Sequence, residues 1–265
     1  MNEIDSNLIN SFEKIAIKAM FKAGQIALNF QNNKIKFWYK SKSQPVTHAD
    51  IEINTYLQNF FKKNTPDFGW LSEEVDDDES ILKKEMFWCL DPIDGTRSYI
   101  DGKPEFVISL ALIYKDFPIL GLIYNPRTKE MFSARKGSGS YCNNEKIKVS
   151  QNMNLNNCKI TISSSEIAKT KKYQFLKNQK LITMGSIAYK VALVAKGKVD
   201  IAISFTGKSD WDLAAASLIL EESGGTISNL DGKKINYNTS TLRIPSVCAT
   251  NTKTHNKILN EIKMI

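Results

Sequence analysis

The sequence predicts a mixed fold of helices and strands whose second half has an α/β arrangement. Apolar residues recur at helical spacing over 7–30 and again over 49–61, which predicts two helices. Strand-like apolar runs follow over 106–113, 119–124 and 131–134, and a proline-containing turn separates the last two. In the second half, strand-like and helix-like segments alternate, which is typical of an α/β fold.

The segments between these elements in the first half are predicted to be loops or short strands. Thr47 lies where the second helix would begin and is a plausible N-cap. Residues 31–45 lose the helical period, carry several lysines and predict a hairpin or loop. The acidic stretch 72–80 predicts a loop in which residues 76–79 are solvated, and 136–144 predicts a turn-rich surface segment.

The second half is predicted to hold four strands and three helices. The strands lie at 159–163, 181–184, 199–203 and 247–250, and the helices lie at 188–196, at 212–223 and at the C-terminus. Glycines close the first two of these helices, as the left-handed position after a helix favours. The change of pattern near residue 150 predicts two units, 1–150 and 151–265.

The overall charge is basic, with 36 Lys and Arg against 28 Asp and Glu and a net charge of +8. The lysines are spread along the chain, and the arginines are Arg97, Arg127, Arg135 and Arg243. Because nucleic-acid recognition uses clustered basic residues and arginine in particular, we expect no nucleic-acid partner. The charge instead suits an anionic small molecule.

Several other classes of site and location are disfavoured by composition. The four cysteines form no CxxC pair, and His48 and His255 are the two histidines, so neither a zinc site nor a Ser-His-Asp triad is expected. No stretch approaches the roughly 20 apolar residues of a membrane helix. The first ten residues lack the basic start and apolar core of a signal peptide. We therefore expect a cytoplasmic protein without a membrane partner.

The residues that most strongly indicate a chemical function lie in the sequence DPIDGT, directly after a short strand predicted over 87–90. Asp91 and Asp94, three residues apart at a strand end, can converge on one point, while Gly95 and Thr96 offer backbone N–H groups to an anion. Carboxylates for a metal beside amides for a phosphate suit metal-assisted phosphoryl transfer. Asp-Pro and Asp-Gly are also common turn formers, so a plain turn is the alternative.

Further acidic residues favour the metal site over the turn. Glu73 and Glu74 lie about twenty residues upstream, and Asp210 and Asp212 open a predicted helix. A carboxylate at a helix start is also a good cap, so Asp212 alone is weak evidence for a metal site. Clustered carboxylates stay ionised only beside cations, because two unit charges 4 Å apart repel by about 4 kcal/mol at an effective dielectric of 20. Oxygen ligands without histidine or cysteine favour Mg²⁺.

Six segments, in order along nearly the whole chain, resemble one family. Two of them are specific: LDPIDGTRSYIDG at 90–102 and SDWDLAAASLILEESGG at 209–225. The others are VTHAD at 46–50, SEE at 72–74, MFSARKGSGSYCNNEKIKVS at 131–150 and GS at 185–186. Together they resemble the inositol monophosphatase superfamily of lithium-sensitive, magnesium-dependent phosphatases.

The resemblance implies a fold and a metal site. The fold would be a layered αβαβα sandwich, with an α+β first half that carries most metal ligands and an α/β second half that contributes the aspartate of the Trp-Asp pair. Glu73, Asp91 and the carbonyl of Ile93 would hold one Mg²⁺. Asp91, Asp94 and Asp212 would hold a second, and a third, looser ion would lie near Glu73.

The resemblance also implies roles in catalysis and substrate binding. Asp50 and Thr96 would hydrogen-bond each other and help to orient the attacking water, and the backbone amides of Gly95 and Thr96 would bind the phosphate. Lys40 and Lys42 lie where the family has a mobile loop, which would close over the site or stay solvated. In full, the implied catalytic residues are Asp50, Glu73 and Thr96, and the implied substrate contacts are Asp94, Gly95, Thr96, Gly185, Ser186 and Phe205.

The identity of the substrate stays open. We expect an enzyme that releases phosphate from a small metabolite, such as inositol monophosphate or a related sugar or polyol phosphate. The inositol-selective enzymes carry a hydroxyl-binding glutamate seven residues before the aspartate of the Trp-Asp pair, where this chain has Phe205. Adenosine 3′,5′-bisphosphate and histidinol phosphate are therefore alternatives. A catalytically inactive phosphate-binding protein is the non-enzymatic alternative, and a homodimer is implied by the resemblance.

Overall fold

A computed structural model describes residues 6–33, 35–41, 44–75, 84–177 and 179–263. The predictions for Lys42 and for the solvated acidic residues 76–79 lie outside these described residues. No helix in the described ranges is both long enough and apolar enough to cross a bilayer.

Both predicted N-terminal helices are confirmed, and each buries the apolar face that its sequence period predicts. Thr47 caps the second helix, since its side chain accepts from the backbone N–H groups of Ala49 and Asp50. The helices of the described residues are α1 (Ser6–Gln31), α2 (His48–Asn64), α3 (Thr96–Ile100), α4 (Ile167–Thr170), α5 (Gln174–Lys177), α6 (Ile187–Ala195), α7 (Asp210–Glu222) and α8 (His255–Lys263).

The strands of the described residues fall into four sheets. They are β1 (Phe37–Ser41), β2 (Gln44–Thr47), β3 (Gly69–Ser72), β4 (Met86–Asp94), β5 (Val107–Tyr114), β6 (Phe117–Asn125), β7 (Glu130–Arg135), β8 (Gly139–Cys142), β9 (Glu145–Lys146), β10 (Lys159–Ile162), β11 (Lys180–Thr183), β12 (Ile201–Ser204), β13 (Lys208–Ser209), β14 (Gly225–Ser228), β15 (Arg243–Ile244) and β16 (Val247–Asn251). The predicted hairpin at 31–45 is present as the antiparallel pair β1–β2.

Two larger sheets organise the molecule. One has seven strands in the order β3-β4-β5-β6-β7-β8-β9, antiparallel except for the parallel pair β3–β4. The other has five strands in the order β11-β10-β12-β16-β14 and is mixed. The pairs β1–β2 and β13–β15 form two small separate sheets.

Three apolar cores hold the sheets and helices in layers. The first lies between α1 and α2 and the outer face of the seven-stranded sheet. The second is the largest, and it packs α6 and α7 between the two large sheets. The third covers the far face of the five-stranded sheet with α5 and α8. The predicted αβαβα sandwich is therefore confirmed.

The two large sheets draw their strands from different parts of the chain. Every strand of the seven-stranded sheet precedes residue 150, and every strand of the five-stranded sheet follows it. The central core nevertheless combines side chains from both parts. The division into units 1–150 and 151–265 stays a prediction.

The prediction of a turn-rich surface segment at 136–144 was wrong for residues 139–142. Residues 139–142 form β8, which pairs with β7 and buries Ser140 and Cys142. The glycines and asparagines around them suggested a turn, but pairing with a neighbouring strand decided the outcome. Residues 143–144 form the tight turn, with positive φ at both asparagines.

Candidate active site

A cleft of about 470 Å³ lies where the end of β4 meets the first turns of α3, α6 and α7. Volumes of this size are typical of small-molecule sites. Its lining includes most of the residues that the sequence singled out: Glu73, Asp94, Gly95, Thr96, Gly185, Ser186 and Asp212.

Three carboxylates converge beside this cleft. Asp91, Asp94 and Asp212 each place an oxygen within 4.8 Å of the oxygens of the other two. In a regular strand, residues three apart would face opposite sides of the sheet. The pairing of β4 with β5 is irregular between Asp91 and Asp94. This irregularity lets both side chains point to one place, as β-bulges near active sites commonly do.

Hydrogen bonds from neighbouring elements fix the orientation of each carboxylate. Asp91 accepts from the backbone N–H of Ile93 at 2.9 Å. Asp94 accepts from Ser186 Oγ and from the N–H of Ala188, both at 2.6 Å, at the start of α6. Asp212 accepts from Ser209 N at 2.6 Å within the capping box of α7.

The three buried carboxylates of this cluster need a bound cation to stay ionised together. Burial, followed by the charges of Glu73, Asp94 and Asp212, raises the pKa of Asp91 well above its ordinary value. Burial and the charge of Asp94 raise the pKa of Asp212 to about 6. Burial also raises the pKa of Asp94, although hydrogen bonds from Ser186 and Ala188 oppose the shift. A cation bound among the three would favour their ionised forms.

The residues present fit Mg²⁺. The converging donors are carboxylate oxygens, with no histidine or thiolate in the group that the described residues form, and hard cations prefer such ligands. Asp91 is only 1% exposed, so its negative charge has little solvent to stabilise it. We take Asp91, Asp94 and Asp212 as the side chains that would hold the ion.

Glu73 lies beside the cluster rather than within the group of three. Burial and the charge of Asp212 raise its pKa to about 8, so the two carboxylates are within electrostatic reach. Its backbone carbonyl accepts a hydrogen bond from Lys40 Nζ at 2.9 Å, and the same ammonium pairs with the Glu74 carboxylate. The β1–β2 hairpin therefore reaches the acidic side of the cleft through Lys40.

The hydrogen bond implied between Asp50 and Thr96 is not formed in this structure. Asp50 instead accepts from Thr47 N at 2.8 Å and Thr47 Oγ1 at 2.6 Å, which completes the capping box of α2. Thr96 Oγ1 donates to the carbonyl of Ile93 at 3.1 Å. Local bonds satisfy both side chains. Burial raises the pKa of Asp50 to about 7.

Gly95 has a backbone conformation that few other residues adopt. Its φ is +96°, and a Cβ atom there would lie 2.8 Å from Glu105 O and 2.9 Å from Ser186 N. Gly95 and Thr96 both line the cleft at the start of α3. The structure thus places these residues, predicted to bind phosphate, next to the carboxylates.

Of the remaining residues implied to contact the substrate, two line the cleft and Phe205 does not. Gly185 and Ser186 line the cleft, but the Ser186 hydroxyl is committed to Asp94 and to the cap of α6. Phe205 is not brought to the cleft. Its N–H donates to buried Glu166 at 2.6 Å, and its ring stacks on Tyr173 at a centroid distance of 4.8 Å, which turns it toward the third core.

A basic part of the cleft was not predicted from the sequence. Lys208 and Arg243 line it, and Lys190 lies fully buried next to it. The position of Lys190 was a detectable signal, because it interrupts the otherwise apolar helix α6. The approach of Lys208 and Arg243 depends on the β13–β15 pairing, which joins residues far apart in the chain and has no local signature.

Comparison with known proteins agrees with the fold. The pattern of the inositol monophosphatase family matches residues 9–264. A Thermotoga maritima fructose-1,6-bisphosphatase/inositol-1-monophosphatase is 32% identical over 195 residues, covering 72% of this chain and 73% of the relative. The Nus factor SuhB of Vibrio cholerae is 29% identical over 82% of this chain and 85% of its own. A solved IMPase structure from Thermotoga maritima superposes with a TM-score of 0.85 at 27% identity, covering 96% of this chain and 97% of the other. The chain belongs to the inositol monophosphatase family.

Proposed function

We propose that this protein is a magnesium-dependent phosphomonoesterase that hydrolyses a small phosphorylated metabolite. The observation that carries the proposal is the convergence of Asp91, Asp94 and Asp212 within 4.8 Å beside a cleft of small-molecule size. Membership of a phosphatase family supports it. The proposal includes two to three Mg²⁺ ions, sensitivity to lithium, a cytoplasmic location and a homodimer.

Different residues of the protein would bind the metal, bind the phosphate and orient the water. Asp91, Asp94 and Asp212 would hold Mg²⁺, with Glu73 and the Ile93 carbonyl completing the site. When bound, Mg²⁺ polarises the phosphoryl group and lowers the pKa of a water molecule.

Other groups of the protein would position the substrate and the water. The backbone amides of Gly95 and Thr96 hold the phosphate oxygens. Asp50, whose pKa burial raises to about 7, is suited to exchange a proton near neutral pH and helps to orient the attacking water.

Inositol monophosphate or a related sugar or polyol phosphate is the proposed substrate. The Thermotoga relative is named for fructose 1,6-bisphosphate and inositol 1-phosphate, which supports a sugar or polyol ester. Adenosine 3′,5′-bisphosphate and histidinol phosphate remain the alternatives. The absence of a glutamate at position 205 keeps them open.

The test is phosphate release from inositol 1-phosphate, adenosine 3′,5′-bisphosphate and histidinol phosphate, each with Mg²⁺, with a chelator and with added lithium. We expect one ester to be turned over fastest, the chelator to stop the reaction and lithium to inhibit it. Asp94→Asn should be inactive, whereas Asp67→Asn, a substitution on the exposed surface, should keep wild-type activity. Activity of Asp94→Asn equal to wild type would refute the metal assignment.

A catalytically inactive phosphate-binding protein is the second candidate. Relatives named Nus factor SuhB show that the family name alone does not fix a role. The same assay separates the two candidates. Binding of the esters without phosphate release, under every metal condition, would favour the non-enzymatic role.

A further inference from the structure

We propose that the cleft contains a second anion-binding subsite, formed by Lys190, Lys208 and Arg243 with the hydroxyl of Ser163. This subsite would select phosphate esters whose leaving group carries another negatively charged group. The inference rests on the proposed phosphatase function, and among the proposed and alternative substrates it favours a sugar bisphosphate or adenosine 3′,5′-bisphosphate over inositol monophosphate.

Lys190 is the most unusual member of this group. It is fully buried, four residues after Ser186 on α6, and its Nζ donates to Ser163 Oγ at 2.7 Å. Among the described residues no carboxylate lies within 4.0 Å of it. Burial of an ammonium without a close counterion is costly, and here it lowers the pKa of Lys190 to about 8, although the charges of Asp94 and Glu166 oppose the shift. An anion bound next to Ser163, which lines the cleft, would bring a negative charge closer to this ammonium.

Lys208 and Arg243 extend the positive charge along the cleft. The pairing of β13 with β15 sets Ser209 opposite Arg243, so the two cations come from adjacent strands. Lys208 Nζ donates to oxygens of Thr206 and Gly207, and in the described part of the chain neither cation forms an ion pair. Both are close enough to Asp212 to lower its pKa, although burial and Asp94 raise it overall.

Another basic residue of the cleft is already neutralised. Lys103 pairs with Asp101 at 2.9 Å, and both line the cleft. Lys208 and Arg243 have no such partner among the described residues, and Lys190 has only a hydroxyl acceptor there. Lys190, Lys208 and Arg243 lie on α6, β13 and β15 of the second half.

The arrangement fits a ligand with two anionic ends. Two of the three converging carboxylates lie on β4, where the phosphoryl group to be hydrolysed would bind with the metal. The cleft, at about 470 Å³, has room for a leaving group in addition to one phosphate. A neutral polyol would offer no anionic group to Lys190, Lys208 and Arg243, whereas a second phosphate or a carboxylate would pair with them.

Matched pairs of esters test this subsite. Adenosine 3′,5′-bisphosphate and adenosine 3′-monophosphate differ only in the second phosphate, and 2-phosphoglycerate and glycerol 2-phosphate differ only in a carboxylate. In the wild type we expect kcat/KM to be at least about tenfold higher for the more anionic member of one pair. The pair that shows the preference identifies the second anion as a phosphate or a carboxylate.

Substitution of the two cleft cations shows whether the preference comes from this subsite. Lys208→Gln and Arg243→Gln change partly or fully exposed side chains, so both variants should fold. Each should lower the ratio of kcat/KM within the pair by at least about threefold, and the double variant should bring it close to one. Lys257→Gln, on the exposed surface of α8, is the control and should keep the wild-type ratio. A wild-type ratio near one for both pairs, or an unchanged ratio in the double variant, would overturn the proposal.

Failure of the subsite and failure of the phosphatase function give different results. Hydrolysis of 4-nitrophenyl phosphate with a ratio near one for both pairs would leave the phosphatase function standing and remove the subsite. If no ester is hydrolysed, the phosphatase function fails, and calorimetric titration of the same pairs with Mg²⁺ present then tests the subsite alone. Tighter binding of the more anionic ligand, lost in the double variant, would support it, and equal binding would refute it.

Discussion

Replacing Asp91 by asparagine should make the metal-free protein more stable while it weakens Mg²⁺ binding and activity. Asp91 is 1% exposed and lies within 4.8 Å of two other carboxylates, measured between oxygens. At that separation and an effective dielectric of 20, two unit charges repel by about 3.5 kcal/mol. Asparagine removes the charge but keeps the volume. Its carbonyl can still accept from Ile93 N, and its amide can donate to Asp94 or Asp212.

The gain in the free energy of unfolding will be smaller than the full repulsion. Raised pKa values mean that the cluster already holds some protons at neutral pH, so part of the repulsion is relieved in the wild type. We expect a gain of about 1–3 kcal/mol, which corresponds to about 2–5 °C in Tm for a chain of this size. Phosphate release in Mg²⁺ should fall by at least about 100-fold, because one ligand is lost.

The assay is a thermal melt of wild type and Asp91→Asn, first in chelator and then across a Mg²⁺ titration. Asp67→Asn is the matched control, since Asp67 is exposed and should change neither the metal-free Tm nor the response to Mg²⁺. A lower metal-free Tm for Asp91→Asn would show that the carboxylate stabilises the fold without a cation. An undiminished rise of Tm with Mg²⁺ would show that Asp91 is not a ligand. Either result would refute the reasoning.

Three further predictions follow from the same geometry. The folded-state pKa values of Asp212, Asp50 and Glu73 are raised to about 6, 7 and 8, so the metal-free protein binds extra protons when folded and loses stability as pH rises through this window. The increase in Tm on adding Mg²⁺ should therefore be larger at about pH 8 than at about pH 5.5, and equal increases would contradict this. Gly95→Ala should lower the free energy of unfolding by about 2–4 kcal/mol in denaturant titrations, because positive φ and backbone contacts both oppose a Cβ atom. Gly137→Ala, where φ is +76° and the space is open, should cost only about 1–2 kcal/mol, and equal losses would exclude the contacts as the cause. Lys40→Met should destabilise the protein by about 1–2 kcal/mol, because the nearly buried Glu74 carboxylate loses its partner. In a double-mutant cycle Glu74→Gln should restore most of that loss, and simple additivity would count against the ion pair.

Local sequence patterns predicted the longer helices and many of the strands because those signals come from neighbouring residues, whereas the short helices α4 and α5 were not predicted. The apolar period of α1 and the Thr47 cap of α2 are both visible in the sequence and present in the structure. The surface segment that becomes β8 was misread, because a strand rich in small residues depends on its partner β7 for pairing.

The site was predictable only to the extent that its residues lie in specific motifs. Asp91, Asp94 and Asp212 stand in the two specific segments and are brought together by the structure. Lys208 and Arg243 lie outside any motif, and their common place in the cleft depends on strand pairing between distant parts of the chain. Phe205 occupies the expected sequence position, but its bond to Glu166 turns it away from the cleft.

The same hydrogen bonds that start the helices also orient the carboxylates of the site. Asp50 and Asp212 each stand at the third position of a helix, where one oxygen accepts from the N-cap backbone N–H. Asp94 receives its bonds from the start of α6, through the hydroxyl of Ser186 that also caps that helix. A carboxylate at a helix start is therefore both a cap and a candidate ligand, so the capping interpretation of Asp212 does not compete with the metal interpretation. The cap of α7 fixes the rotamer of Asp212 and the bonds from the start of α6 fix that of Asp94, so both carboxylates can meet Asp91 at one point.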